Sequence, residues 1–156
     1  MGNEKLMAQA IDIAYQNVLT SNGGPFGAIV VKNGKVIATG CNEVTRLNDP
    51  TAHAEIQAIR AACQVLNSYQ LTDCEIYTSC EPCPMCFGAI YWARPKAVYF
   101  ACTKEDAAQI GFDDHHIYEQ LNIPKENRLI KMKQICPENY RLPFTTWKNT
   151  TRKTEY

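Results

Sequence analysis

Apolar and polar positions along the chain follow two rhythms, one of period about 3.6 and one of period 2. Over residues 5–19, Leu6, Ala10, Ile13, Ala14 and Val18 recur at helical spacing, with Asn3 placed to cap the helix. GPFGAIVVKNGKVIATG (24–40) reads as a hairpin, with strands at 26–31 and 36–39 joined by an Asn33-Gly34 turn. Pro50 leads into a helix from His53 to about Leu66, whose apolar period is kept by Ile56, Ile59 and Cys63. CEIYTS (74–79) is a short strand, EPCPMCFGAIYWA a helix begun by proline, and AVYFA (97–101) another strand. Residues 104–121 are helix-rich, 129–135 predict a further strand, and 144–150 predict a last helix. The order α-β-β-α-β-α-β-α-β-α predicts an α/β fold, with a five-stranded mixed sheet covered by helices. The long connection between the fourth and fifth strands has room for a helical crossover, so those two are expected to be parallel.

Composition narrows this picture. The 156 residues, 46% of them hydrophobic, suffice for one core, and no repeat or linker divides them, so residues 1–156 are read as a single domain. Net charge is zero, which leaves no electrostatic footprint for a nucleic-acid backbone and predicts no nucleic-acid partner. MGNEKLMAQAIDIA lacks the uninterrupted apolar run of a signal peptide, and no segment approaches a membrane span. A cytoplasmic protein is expected, with no membrane partner. In that compartment eight cysteines are core thiols, metal ligands or a mixture rather than a disulfide framework.

Three of those cysteines, Cys80, Cys83 and Cys86, fall three apart in SCEPCPMCFGAI. An iron–sulfur run would need a fourth cysteine at position 90, where Ile90 stands. A zinc ribbon would need a second Cys-x-x-Cys, but the other cysteines stand singly. Cys80 ends the preceding strand and is read as a packed thiol. Cys83 and Cys86 are presented together at a helix N-terminus, where the dipole and free N–H groups stabilise thiolates. His53 and Glu55 raise a separate question. Mid-helix they would point about 200° apart, whereas at a first turn both can lean toward whatever lies off the helix end. Alone, they are a metal ligand and a proton carrier, or a core histidine and a surface glutamate. Taken with the cysteines, His53, Cys83 and Cys86 form a nitrogen–sulfur–sulfur set that leaves tetrahedral zinc one open position, as catalytic sites do. Zinc lowers the pKa of bound water to roughly 7, and Glu55 is then the carboxylate that takes and delivers its proton.

His-x-Glu followed by Pro-Cys-x-x-Cys is the established signature of zinc nucleobase deaminases. Beyond the signature, GGPFGAIVVKNGKVIATGCNEV, NDPTAHAEIQAIR, CEPCPMCFGAIYWARPKAVYFA, AAQIGFDD and the closing EY resemble the bacterial guanine deaminases of the cytidine-deaminase superfamily. The resemblance implies a three-layer α-β-α sandwich with a five-stranded sheet, one zinc per chain, and a small-molecule purine substrate. It implies hydrolysis of guanine to xanthine and ammonia, with Glu55 protonating the ring nitrogen and then the leaving amine. By analogy Asn42 hydrogen-bonds the base edge, and Phe26 and Trp92 pack on the purine, although Asn42 also fits a turn cap and both aromatics fit a plain core. Asp114 in GFDD is implied as a second proton carrier, while Asp113 or Asp114 equally fits the N-cap of the following helix. His115 and His116 are expected to be an exposed pair. The resemblance also implies a homodimer that exchanges residues from about 103 to 156, so that Asp114 and Tyr156 serve the partner's zinc.

Other classes remain in view. Guanosine or another nucleoside deaminase would look similar around CEPCPMCFGAI. A tRNA adenosine deaminase shares the motifs but needs a basic surface, and a cytosine deaminase would not need the long C-terminal region. A non-catalytic zinc module would have no reason to keep Glu55.

Overall fold

The computed structural model describes residues 2–156 and divides into two compact units, one running to His115 and the other His116–Tyr156. In the first unit, α1 (Glu4–Leu19) is capped by Asn3, whose side chain accepts from the backbone N–H groups of Lys5 and Leu6. The hairpin strands are β1 (Gly27–Lys32) and β2 (Lys35–Cys41), joined through Asn33 and Gly34, both at positive φ as a tight two-residue turn requires. A short α2 (Val44–Leu47) precedes α3 (Ala54–Leu66). Then follow β3 (Cys74–Cys80), α4 (Pro84–Ala93), β4 (Ala97–Cys102) and α5 (Lys104–Gln109).

The sheet order is β2-β1-β3-β4. β1 runs antiparallel to both β2 and β3, and β4 is parallel to β3. Alternation along β1 sends Ala28 and Val30 to one face and Ile29 and Val31 to the other. On the first face they pack with Ala54, Ala58 and Ala62 of α3 and with Ile90 and Ala93 of α4. On the second they pack with Leu6 and Ala10 of α1 and with Tyr77. Helices therefore cover both faces of a mixed sheet, as the sequence pattern implies.

The sheet has four strands among the described residues, not the five expected. In the second unit, residues 129–135 have irregular backbone, and Ile130 and Ile135 are 82% and 85% exposed. A strand exists only where its N–H and C=O groups find a neighbouring ladder, and this stretch pairs with none. The parallel pair is accordingly β3–β4, connected through α4, and not a fourth and fifth strand. The helix-rich stretch from 104 is broken at Gly111, at φ +93°, into α5 and α6 (His115–Asn122). A single 3-10 turn (Lys125–Asn127) and α7 (Leu142–Asn149) complete the second unit, none of whose described residues is buried. No described helix is long and apolar enough to cross a membrane.

Two glycines let helices touch the sheet backbone to backbone. A Cβ on Gly27 would lie 2.4 Å from the carbonyl oxygen of Ala10, and one on Gly40 would lie 2.2 Å from that of Ala54. Gly40→Ala should therefore force α3 off β2 and destabilise the protein by about 1–3 kcal/mol or more. At about 2–4 °C per kcal/mol, calorimetry would read this as a clear drop in Tm. Gly88→Ala in α4, where a Cβ meets nothing within 4 Å, should leave Tm unchanged or slightly raised.

Candidate active site

Two helix starts build the site. His53 is the N-cap of α3 and Cys83 the N-cap of α4, both in extended backbone conformations and neither using its side chain to cap. Ser, Thr, Asp or Asn at an N-cap is worth about 1 kcal/mol to a helix, and both helices forgo it. Pro84 starts α4 with φ already set and no N–H to lose. The His53 and Cys83 side chains are thus free to face the gap between the two helix ends, and Cys86, one turn into α4, joins them.

The separations are short. Nδ1 of His53 lies 3.5 Å from the sulfurs of both Cys83 and Cys86. Donor atoms of the three residues all lie within 4.8 Å of one another. Tetrahedral zinc holds nitrogen at about 2.0–2.1 Å and sulfur at about 2.3 Å, which puts its ligand atoms about 3.5–3.8 Å apart. The spacing fits such an ion, and one nitrogen with two sulfurs is a donor set zinc favours. Three ligands leave a fourth position open.

Charge is arranged to match. The Cys83 thiol is held down at about 4, chiefly by a hydrogen bond from Cys86 and further by one from His53. Cys86 is pushed upward by that same bond and by burial. His53 is raised by its hydrogen bond to Cys83. Glu55, only 6% exposed, is raised above the usual carboxylate range by burial, with the negative charge of Cys83 adding to the effect. Its carboxyl also contacts Cys86. A buried carboxylate beside a sulfur pair is costly unless it has something to do there.

Around this centre the other expected residues are distributed unevenly. Asn42 follows β2 and is buried, its Oδ1 accepting two long bonds of 3.4 Å from the N–H groups of Gly24 and Val44. Among the described residues its amide nitrogen has no acceptor. Phe26 meets Phe112 edge to face, with ring centroids 4.9 Å apart. Asp113 Oδ1 accepts from the N–H of His115, the first residue of α6, at 2.8 Å, and Asp114 stands between them. The Asp114 carboxyl is raised by desolvation and by the negative charge of Cys83, which places it within electrostatic reach of the metal ligands. Trp92 lies in the last turn of α4, 63% exposed, and Tyr156 is exposed at the end of the second unit. His115 and His116 are exposed as expected. Cys80 is a buried thiol pushed up to about 12 by burial, with its sulfur 3.5 Å from the carbonyl oxygen of Thr103, so it is packing and not a ligand.

Sequence patterning did not single out Phe112, although it sits inside the GFDD segment beside Asp114. It also passed over Asn17, whose signal was present: a polar residue three positions after Ala14 on the sheet-facing stripe of α1.

Residues 1–102 match the model of the cytidine and deoxycytidylate deaminase zinc-binding region. The chain belongs to that family. It is 53% identical to a guanine deaminase of Bacillus subtilis over all 156 residues, covering 100% of both chains. The solved structure of a Bacillus subtilis guanine deaminase superposes with a TM-score of 0.97 at 53% identity, over 100% of this chain and 99% of the other. A tRNA-specific adenosine deaminase of Aquifex aeolicus is 36% identical over 132 residues, 84% of this chain and 83% of the relative. In family terms, His53, Cys83 and Cys86 lie in the zinc-binding region.

Replacing a ligand and replacing the carboxylate should separate cleanly. His53→Ala or Cys83→Ala should lose metal and activity together. Glu55→Gln should keep one zinc per chain while losing about 10²–10⁴ or more in rate. Metal analysis beside a turnover assay checks both, and loss of metal from Glu55→Gln would make Glu55 a ligand.

Proposed function

We propose that this chain deaminates guanine hydrolytically, adding water and releasing xanthine and ammonia. The observation that carries the reading is the end-to-end similarity to a guanine deaminase, which continues past residue 102, where the shared zinc-binding region ends. Residues 103–156 are where family members with different substrates have room to differ.

The chain's own groups divide the work. His53, Cys83 and Cys86 would hold one zinc per chain, which when bound would supply the Lewis acidity that makes water a nucleophile near neutral pH. Glu55 carries one proton from the attacking water to the purine ring nitrogen. It then carries the second, from the hydroxyl newly bonded to the ring carbon, to the amino group as its C–N bond breaks. A carboxyl raised by burial suits this task, because it holds a proton more readily than an exposed carboxylate does. Asn42 offers its unpartnered amide N–H to an acceptor on the base edge. Phe26, backed by Phe112, and Trp92 pack on the purine ring, and Tyr156 of the exchanged segment serves the partner's site. Asp114 is a second proton carrier. A non-catalytic zinc module would gain nothing from burying Glu55 against its own ligands. A tRNA substrate would call for a basic surface, and the chain carries 16 basic and 16 acidic residues.

The enzyme acts in the cytoplasm, where its eight free cysteines stay reduced. It works as a homodimer whose C-terminal segments are exchanged. Support comes from the second unit, which buries none of its described residues yet carries Leu129, Ile130, Ile135 and Phe144 in the open. Apolar residues in that density need a surface to cover. A second copy of the chain supplies one.

Purified protein offered guanine, guanosine, adenine, cytosine and cytidine should turn over guanine best, followed by absorbance. Preference for a nucleoside would reject the substrate and leave the metal chemistry standing. Exchange is tested by co-expressing Glu55→Ala with Asp114→Ala chains, each inactive alone. Within one folded chain Asp114 feels the charge of that chain's own Cys83, so a dimer without exchange keeps one defect in every site. Exchange puts both defects in one site of a mixed dimer and none in the other, and random pairing should restore about a quarter of wild-type sites. Mixed dimers with no activity would refute the exchange.

A further inference from the structure

A buried asparagine in α1 lies behind the substrate side of the site. Asn17 is 4% exposed and occupies the face of α1 that Leu6, Ala10 and Ala14 turn toward the sheet. A buried carboxamide is destabilising unless its polar atoms are matched, and here they are. Its Nδ2 donates to the carbonyl of Gly24 at 2.8 Å and to that of Asn42 at 2.9 Å. Carbonyls only accept, so the nitrogen must face them, and Oδ1 is left to accept from Nδ2 of Asn22 at 2.8 Å.

These bonds join two stretches that are distant in sequence. The 22–26 loop ends in Phe26, whose carbonyl accepts from the backbone N–H of Asn42 at 3.1 Å. The Asn42 carbonyl is held from the other side by Asn17, and Gly23 passes so close that a Cβ there would lie 2.1 Å from that oxygen. The Asn42 side chain itself is held only by the two long bonds to backbone N–H groups. Where its amide points is therefore decided by where its backbone sits.

We infer that Asn17 is a positioning residue for substrate binding, acting through Asn42 by fixing the backbone from which the Asn42 amide meets the base edge. The inference rests on the reading of Asn42 as a base contact. Asn17 touches neither the metal ligands nor Glu55, so its loss falls on binding before chemistry. Asn22, by occupying Oδ1, keeps the Asn17 carboxamide from turning over.

A double-mutant cycle on the zinc-loaded enzyme tests this, with guanine as substrate. Asn17→Ala should raise KM about tenfold, with kcat changed less and one zinc per chain retained. Asn42→Ala should raise KM by as much or more. The double variant should be no worse than Asn42→Ala alone, since two residues acting as one unit are not additive. Multiplying effects would overturn the inference and make Asn17 a general packing residue. An unchanged KM in Asn42→Ala would instead remove the base contact itself, and the positioning role with it. Should Asn17→Ala fail to fold, Asn22→Ala leaves the helix and Asn17 in place. It should show a smaller rise in KM with the same non-additivity, and full additivity there is equally fatal.

Discussion

Ala54 rests against Gly40 with no side chain between helix and strand, and the chemistry of the site hangs on that contact. His53 and Glu55 flank Ala54 in sequence, so the close seating of α3 on β2 fixes both at once. One residue gives its side chain to the space off the helix end and the other gives its carboxyl to the same space from within the first turn. A methyl group at position 40 would move the imidazole and the carboxyl together, far from any atom that reacts. Precision here comes from backbone contact, which has no rotamers to average over.

The second helix start completes an electrostatic arrangement. Two N-termini point toward one small volume, and each brings partial positive charge and N–H groups that favour anions. Thiolates and a dication are at home there in a way that a single helix end would not achieve. Leaving both N-cap side chains out of capping weakens the helices locally, and burial of Ala54, Ala58 and Ala62 in α3 and of Ile90 and Ala93 in α4 offsets the loss. Stability is thus supplied one turn away from where reactivity is needed.

Much of this was legible in the sequence because it is local. The period of α1, the Asn33-Gly34 turn and the proline that begins α4 each depend on neighbours a few residues away, and each stands where the pattern puts it. The candidate ligand set was legible because three residues, one histidine and two cysteines, fell at two helix starts. Residues 129–135 misled for the opposite reason, since a strand is a relation between two segments and apolar spacing describes only one. Asp113 and Asp114 were indistinguishable in sequence, because either spacing reaches a backbone N–H, and it is Asp113 that meets the N–H of His115 in the folded loop. Asn17 was hidden by its company. A polar residue on an apolar stripe looks like an irregularity until the carbonyls it serves, seven and 25 positions away, are brought beside it.

β4 closes one side of the sheet, with Phe100 exposed near its end. Its outer row of N–H and C=O groups pairs with no strand among the described residues, so it stands open while the chain folds in the crowded cell. Any extended segment nearby, correct or foreign, can add itself to that row. How much active protein a cell recovers is then a race between folding and clumping, set by translation speed and expression level as well as by the depth of the folded state. Slow synthesis at low temperature favours the right outcome, and strong overexpression favours the wrong one.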